Sequence, residues 1–492
     1  MAGGAADRPA IVTAGGSTTY RELLALTARA GNALRALGVQ PEQRVALLMP
    51  DGLEWAATFL GALRIGAVAV LFNTRLDAAA WVAMLRDSRA RVLVADATLL
   101  ATLRPALADA PHLRTVVATG MGAGELSALM AAASPELTAE DVSDDDMAFW
   151  LYTSGTTGTP KAAIHLHRDL LACRHYGVEV LGADARDRVF ATSKLFFAYA
   201  LGNALLIPLY IGGRTYLQAA WPDPASVRHV LETFAPTLFF SVPTFYRHLL
   251  RADLPREAFR SVRACVSAGE RLPPDVYDAW RERFGVEILD GIGTSETIFM
   301  VLSNRPGKSR AGSAGTPVPG TDVRLLDTDG REVGDGEVGV LHLRTPSTSP
   351  GYWNRLDLSR RTFVGEWYRT GDLFTRDADG FYHHAGRADD LFKVAGMWVA
   401  PAEVEAALLE SADVAEAGVV GAALDGGLVK AVAFVVPRTR EAAAGLAGLL
   451  AAHLQARLPS HKRPRQIHVV DELPRTSTGK LQRYLLRQRA ER

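Results

Sequence analysis

The chain has 492 residues, 48% hydrophobic and 22% charged, which is the make-up of a folded protein too long for one core and argues against disorder. Its 54 Lys and Arg balance 54 Asp and Glu, so no global field draws it to nucleic acid or to an anionic membrane, and any anion selectivity must be local. Two cysteines, Cys173 and Cys265, stand far apart with no CxxC spacing and no histidine arrangement of a metal site, and read as buried thiols in a reducing cytoplasm.

The opening "MAGGAADRPA" lacks a basic stretch followed by an apolar one, so no signal peptide is expected. Up to about residue 120, "RVALLMP", "AVAVLF" and "RVLVAD" alternate with the helix-sized "GLEWAATFLGALRIG" and "DAAAWVAMLRDSRA". Strand-sized Val/Leu runs separated by periodic segments predict βα units around a mostly parallel sheet. Next comes "YTSGTTGTPKAAIHLHRD", with Thr153, Ser154, Thr156 and Thr157 around Gly155 and Gly158, closed by Lys161. Glycines that let backbone N–H groups converge, hydroxyl donors and a lysine charge are what a phosphate needs.

From Leu195 to Gly213 the chain carries no charge, close to the length of a membrane span. Gly202, Asn203 and Pro208 interrupt it, so a buried helix beside a ligand pocket is the expectation, with no membrane association. The βα alternation returns in "GRTYLQA", "SVRHVLETFA", "PTLFFSVPT" and "VRACVSAGE", giving a second similar layer. From about residue 310 short β runs and Asp-Gly turns predict a small barrel or sandwich. After "GRADDLFKVAGMWVAPAEVEAALLE" the pattern becomes helix, strand, strand, helix, strand, a small α+β domain. The boundary is placed at Asp389, giving domains 1–388 and 389–492.

The phosphate loop is no Walker A loop, because Thr159 and Pro160 separate Gly158 from Lys161. "GIGTSE" is no dinucleotide fingerprint, because Glu296 stands where a third glycine should. Instead "YTSGTTGTPK" resembles the phosphate loop of the acyl-adenylate-forming, AMP-binding superfamily. The resemblance recurs in order at "SAGERLP", "DGIGTSE", "YRTGDL", "GRADDLFKVAGMWVAPAEVE" and "LPRTSTGKLQR", over nearly the whole chain.

That resemblance implies a large N-terminal domain of two α/β layers plus a small β-barrel, then a small mobile α+β domain. It implies ATP, Mg2+ and coenzyme A as cofactors. Thr153 to Gly158 and Lys161 would hold phosphates; Gly269, Glu270, Asp290 and Gly291 would frame adenine; Asp372 and Arg387 would hold the ribose hydroxyls, a task for a fixed acceptor and a forked donor. Glu296 would ligate Mg2+ as a hard oxygen donor, beside Ser295. Lys480 would be the adenylation lysine, a cation drawing the carboxylate to the α-phosphate. Asp389, followed by Asp390, would be the hinge that swaps Lys480 for a thioester-forming face carrying Lys393, Gly396 and Trp398, with Arg463 and Arg465 as further partners for CoA phosphates.

Within the superfamily "KLFFAYALGNALLIPLYIGG" and "DGIGTSETIFMVLSN" look most like benzoate-CoA ligases and their aryl-CoA relatives, with Ile292 where many members carry tyrosine. Phe197, Ala198, Tyr199, Gly293, Ile298 and Phe299 then line a flat slot for a ring. The benzoate group has a histidine where Phe299 stands, so a substituted benzoate, an aminobenzoate or a cinnamate-like acid is expected as readily as benzoate. A free-standing carrier protein in place of CoA and a non-catalytic protein keeping the fold are the rival readings; no carrier domain is expected after Lys480, and the molecule is expected as a monomer or homodimer.

Overall fold

The computed structural model describes residues 5–120, 124–154, 160–424, 427–475 and 481–491, and its contacts divide the chain into two compact units. The first comprises residues 1–323 and 343–369, the second 324–342 and 370–492.

The first unit contains the two α/β layers. One is a six-stranded sheet in the order Thr115–Thr119, Val92–Asp96, Arg44–Leu48, Val68–Leu71, Met147–Ser154 and Pro160–Leu166, parallel until the last, antiparallel pair. The other is nine-stranded, with a parallel centre formed by Ile288–Gly293, Ala264–Ser267, Leu238–Ser241, Arg188–Ala191, Arg214–Tyr216 and Pro9–Thr13. Central strands such as Val68–Leu71 and Leu238–Ser241 are buried along their whole length, as strands covered on both faces should be.

Helix starts follow local chemistry. Thr19 Oγ1 accepts from the Glu22 amide at 3.2 Å and Glu22 Oε2 accepts from the Thr19 amide at 2.7 Å, a capping box that opens the helix Tyr20–Ala36. Asp223 caps Pro224–Thr233 with proline at its first position.

Most of the uncharged run folds as one helical stretch, Ala198–Ala200, then Leu201–Leu206, then Ile207–Ile211, whose middle part is π-helical and which is buried over residues 200–208. Among the described residues no helix is long and apolar enough to cross a membrane. Both cysteines are free and buried.

In the second unit, Val414–Leu424 and Leu428–Pro437 form a long antiparallel hairpin, with Gln466–Val469 parallel to its second strand. Val404, Leu408, Leu450 and Leu454 pack on one side of this sheet, and Leu473, Leu486 and Ala490 on the other. The unit adds two elements to the expected pattern. One is the hairpin Phe392–Val394/Met397–Val399, whose two-residue turn puts Ala395 and Gly396 both at positive φ, +50° and +81°, as a type I′ turn requires. The other is the helix Arg483–Ala490, whose basic sequence hides a buried stripe.

Candidate active site

The strands flanking the phosphate loop pair antiparallel through Thr153↔Lys161 and Ser154↔Pro160, so the two ends of that loop are held side by side. Gly155, Thr156, Thr157 and Gly158 lie outside the described residues, as does Lys480. On its other edge the strand Pro160–Leu166 takes up the segment 351–353: Ile164 donates to the Gly351 carbonyl at 3.1 Å and Trp353 to that of Ala162 at 2.9 Å. Ala163 thereby faces Tyr352 across a β-bridge.

That pairing delivers Tyr352 to the site. Lys161 Nζ donates to the Tyr352 hydroxyl at 2.7 Å and lies 3.9 Å from its ring centre, and the hydroxyl donates to Glu296 Oε1 at 2.6 Å. Lys161 Nζ stands 3.6 Å from the same oxygen. Burial opposes ionisation of Glu296, yet the Lys161 charge and hydrogen bonds from Tyr352 and Tyr368 outweigh it and hold the carboxyl below its ordinary range. The half-buried cation and the buried phenol and carboxylate thus form one cluster.

The stretch that carries Glu296 is fixed at three successive carbonyls. His165 Nε2 lies 2.7 Å from the Ser295 oxygen, the Ser349 amide donates to the Glu296 oxygen at 2.8 Å, and Ser347 Oγ donates to the Thr297 oxygen at 2.6 Å. Beyond it, Ile298 holds φ +56°, and the Phe299 amide donates to the Thr297 carbonyl at 2.6 Å. A γ-turn centred on a β-branched residue at positive φ costs about 1–3 kcal/mol and persists only where its surroundings impose it. Its effect is to seat the Phe299 ring on the π-helical segment: a Cβ on Gly202 would lie 2.9 Å from two atoms of that ring, and one on Gly293 would lie 2.7 Å from the Phe299 carbonyl oxygen.

The structure therefore brings Ile298 and Phe299 against Gly202 in the helical stretch that begins at Ala198 and Tyr199, with Gly293 packed behind the Phe299 carbonyl. The Tyr199 hydroxyl is spent on main chain, shared between the carbonyls of Val266 at 2.9 Å and Ser241 at 3.1 Å. Phe197 packs edge-on against Phe196, which meets Trp221.

Gly269 has φ +92°, and Glu270 accepts from Thr244 Oγ1 at 2.6 Å. Asp290 and Gly291 sit in the buried strand Ile288–Gly293. The Asp290 carboxyl is pushed up to about 7 by burial, against weaker help from Ser267, the amides of Leu272 and Gly291, and Arg271.

In the second unit the strand register sets Asp372 opposite Arg387, and Arg387 Nη1 donates to Asp372 Oδ1 at 2.8 Å. Burial works against the Asp372 charge, but His384 and Arg387 hold it below the usual range. Asp389 lies 3.8 Å from Arg387 Nη2, and Asp390 pairs with Arg483 Nε at 3.0 Å. Lys393 Nζ stands 4.6 Å from the ring centre of Trp398, whose side chain is exposed. Arg463 is taken up by the carbonyls of Leu458 and Gln455.

The profile of the AMP-binding enzyme family matches residues 2–353, and that of the AMP-binding enzyme C-terminal domain matches residues 403–480. The chain belongs to the AMP-binding enzyme family. It is 42% identical to the 3-hydroxybenzoate–CoA ligase of Aromatoleum sp. (strain CIB), covering 99% of this chain and 94% of that one. It is 44% identical to the benzoate–CoA ligase of Thauera aromatica, covering 96% and 91%. The crystal structure of the anthranilate CoA ligase AuaEII in complex with anthranoyl-AMP superposes with a TM-score of 0.88 at 36% identity, over 99% of this chain and 95% of that one. With matches of this kind end to end, the protein is a ligase of the family.

Sequence reasoning did not find Tyr352, His165, Asp169, Ser347 or Ser349. The i, i+4 pair His165–Asp169 lay in plain view beside the phosphate loop; Tyr352 gave no signal, since it meets Lys161 from 191 positions away.

Asp290 yields a pH prediction. Its ordinary value is 3.8 and its folded value about 7, so both states are protonated below about pH 4, and between about pH 4 and 7 the unfolded chain ionises first and stability falls. Asp290→Asn cannot ionise; its thermal midpoint, taken relative to wild type, should rise across that window and level off above it. A difference that stays constant with pH would show that Asp290 does not titrate in this way.

Proposed function

We propose that the protein is an ATP-dependent aryl acid:CoA ligase whose acid is a substituted benzoate. The observation that carries this reading is that one short stretch, residues 296–299, bears the buried Glu296 carboxylate paired with Lys161 at one end and Phe299, whose ring packs on Gly202, at the other. A carboxylate suited to the phosphate side and an aromatic wall suited to a ring on the same backbone support joining the two chemistries in one reaction. With Tyr199 satisfied by main chain, the slot offers ring surface rather than hydroxyl groups. The three relatives named above are ligases of 3-hydroxybenzoate, benzoate and anthranilate, all aryl acids.

In the first half-reaction a carboxylate oxygen of the acid attacks the α-phosphorus of ATP, the bond to the β-phosphate bridge breaks, and pyrophosphate leaves. Thr153 to Gly158 and Lys161 bind phosphate oxygens; Gly269, Glu270, Asp290 and Gly291 frame adenine; Asp372 and Arg387 take the ribose hydroxyls. Glu296, ionised and buried, suits Mg2+, which binds through one or two carboxylates plus phosphate oxygens and would neutralise phosphate charge. Lys480 stabilises the charge that builds between carboxylate and phosphate. In the second half-reaction the small domain, turned about Asp389, presents Lys393, Gly396 and Trp398 to CoA. The thiol sulfur then attacks the acyl carbon, losing its proton, and AMP departs with the electron pair of the C–O bond. No protein nucleophile is required, because positioning and electrostatics carry both steps.

Lys480→Ala should lower adenylation by about two to three orders of magnitude, the size of losing one preorganised charge, while thioester formation from supplied aryl-AMP survives. Equal loss in both steps, measured by separate half-reaction assays, would remove Lys480 from the role. Phe299→His should shift the ranking of acids toward unsubstituted benzoate; an unchanged ranking of kcat/KM values would mean that Phe299 does not line the slot.

A further inference from the structure

Behind the phosphate-loop hairpin lies a titratable pair that none of the steps above uses. His165 and Asp169 both have fully buried side chains, His165 Nδ1 lies 2.9 Å from Asp169 Oδ2, and the His165 ring stacks on Phe149 with centroids 4.8 Å apart. Asp169 Oδ2 also accepts the Leu166 amide at 3.1 Å, while Oδ1 is buried with no hydrogen-bond partner. A buried ion-pairing couple adds little net stability over an apolar replacement. What it does provide is a fixed ring orientation and a fixed tautomer.

The tautomer follows from the partners. The Ser295 carbonyl can only accept, so Nε2, at 2.7 Å, must carry a proton. Nδ1 then faces the Asp169 carboxyl at 2.9 Å. His165 is therefore held by Asp169 as a donor aimed at the main chain of the residue next to Glu296.

Lys161, Ala163 and His165 alternate along one strand and share a face. Lys161 holds the Glu296 carboxylate, and His165 holds the carbonyl one residue before it. We propose that His165, oriented by Asp169, is a positioning residue for Glu296: it pins the Ser295 carbonyl so that the Glu296 carboxylate meets the Mg2+ of Mg-ATP without reorganisation. The proposal rests on the reading of Glu296 as the metal-side carboxylate. A preorganised ligand is what such outer partners contribute, and their loss typically weakens metal affinity about 10–100-fold.

The test compares two substitutions of nearly the same chemistry and different reach. His165→Asn places its amide where Nδ1 stood, next to Asp169, and falls short of the Ser295 carbonyl. His165→Gln places an amide N–H where Nε2 stood. ATP binding to the full-length protein, measured by calorimetry over a range of Mg2+ concentrations, should show half-saturating Mg2+ raised about tenfold or more in His165→Asn and restored to within about threefold of wild type in His165→Gln. The KM for the aryl acid should stay within about twofold in both, because the acid wall is held by other contacts. Glu296→Gln, run beside them, separates the two layers of the argument. Mg2+ dependence that moves in Glu296→Gln and not in His165→Asn overturns the positioning role alone. If neither variant moves it, the metal assignment of Glu296 falls and takes the positioning role with it. Thermal midpoints identify a variant that has merely lost its fold, and an Asn and a Gln variant that lose Mg2+ coupling equally would also overturn the proposal.

Discussion

A buried carboxylate is untenable without compensation, and the arrangement around Glu296 is that compensation. Desolvation alone would raise its pKa and neutralise it. Lys161 at 3.6 Å and the Tyr352 hydroxyl at 2.6 Å reverse the sign and keep it ionised. Neither partner is delivered by its own local sequence. The strand Pro160–Leu166 is the common support: it carries Lys161, pairs with the segment that brings Tyr352, and reaches the Ser295 carbonyl through His165.

The same constraint propagates toward the acyl side. With the Glu296 and Thr297 carbonyls each fixed by a serine donor, and the Phe299 amide bonded to the Thr297 carbonyl, the turn at Ile298 is held in place. The strained residue pushes Phe299 onto Gly202, in a helical stretch whose π-turn displaces the usual register. Such π-turns recur where a helix borders a functional site. A glycine at 202 and a phenylalanine at 299 are thus complementary choices: a side chain at one position excludes the ring at the other.

The two α/β layers were legible because runs such as "AVAVLF" and "PTLFFSVPT" are strand-sized, apolar and separated by helical periods, and local pattern decides such elements. The order of the nine-stranded sheet was not, since Pro9–Thr13 pairs with Arg214–Tyr216 from the far side of the first layer. The helix Arg483–Ala490 was hidden by its arginines, which leave only Leu486 and Ala490 to mark a buried face. The hairpin at Phe392–Val399 was too short for alternation to register, though its Ala-Gly turn is a local signal. Motif resemblance singled out Lys161 and Glu296, which the first unit brings within 3.6 Å, and Asp372 and Arg387, which strand register in the second unit sets side by side. Resemblance was silent on what keeps those charges in place, because Tyr352, His165 and the serines at 347 and 349 act through contacts that only the folded chain creates.

The central claim is that this active site joins an aryl acid to CoA through an adenylate. It is tested most directly by pyrophosphate release across benzoates, aminobenzoates, hydroxybenzoates, cinnamates and short fatty acids, each with and without CoA. The account predicts turnover on an aryl acid, stimulated by CoA and yielding the aryl-CoA thioester, with fatty acids inert. Pyrophosphate release indifferent to CoA, with aryl-AMP accumulating, or turnover confined to fatty acids, would contradict it.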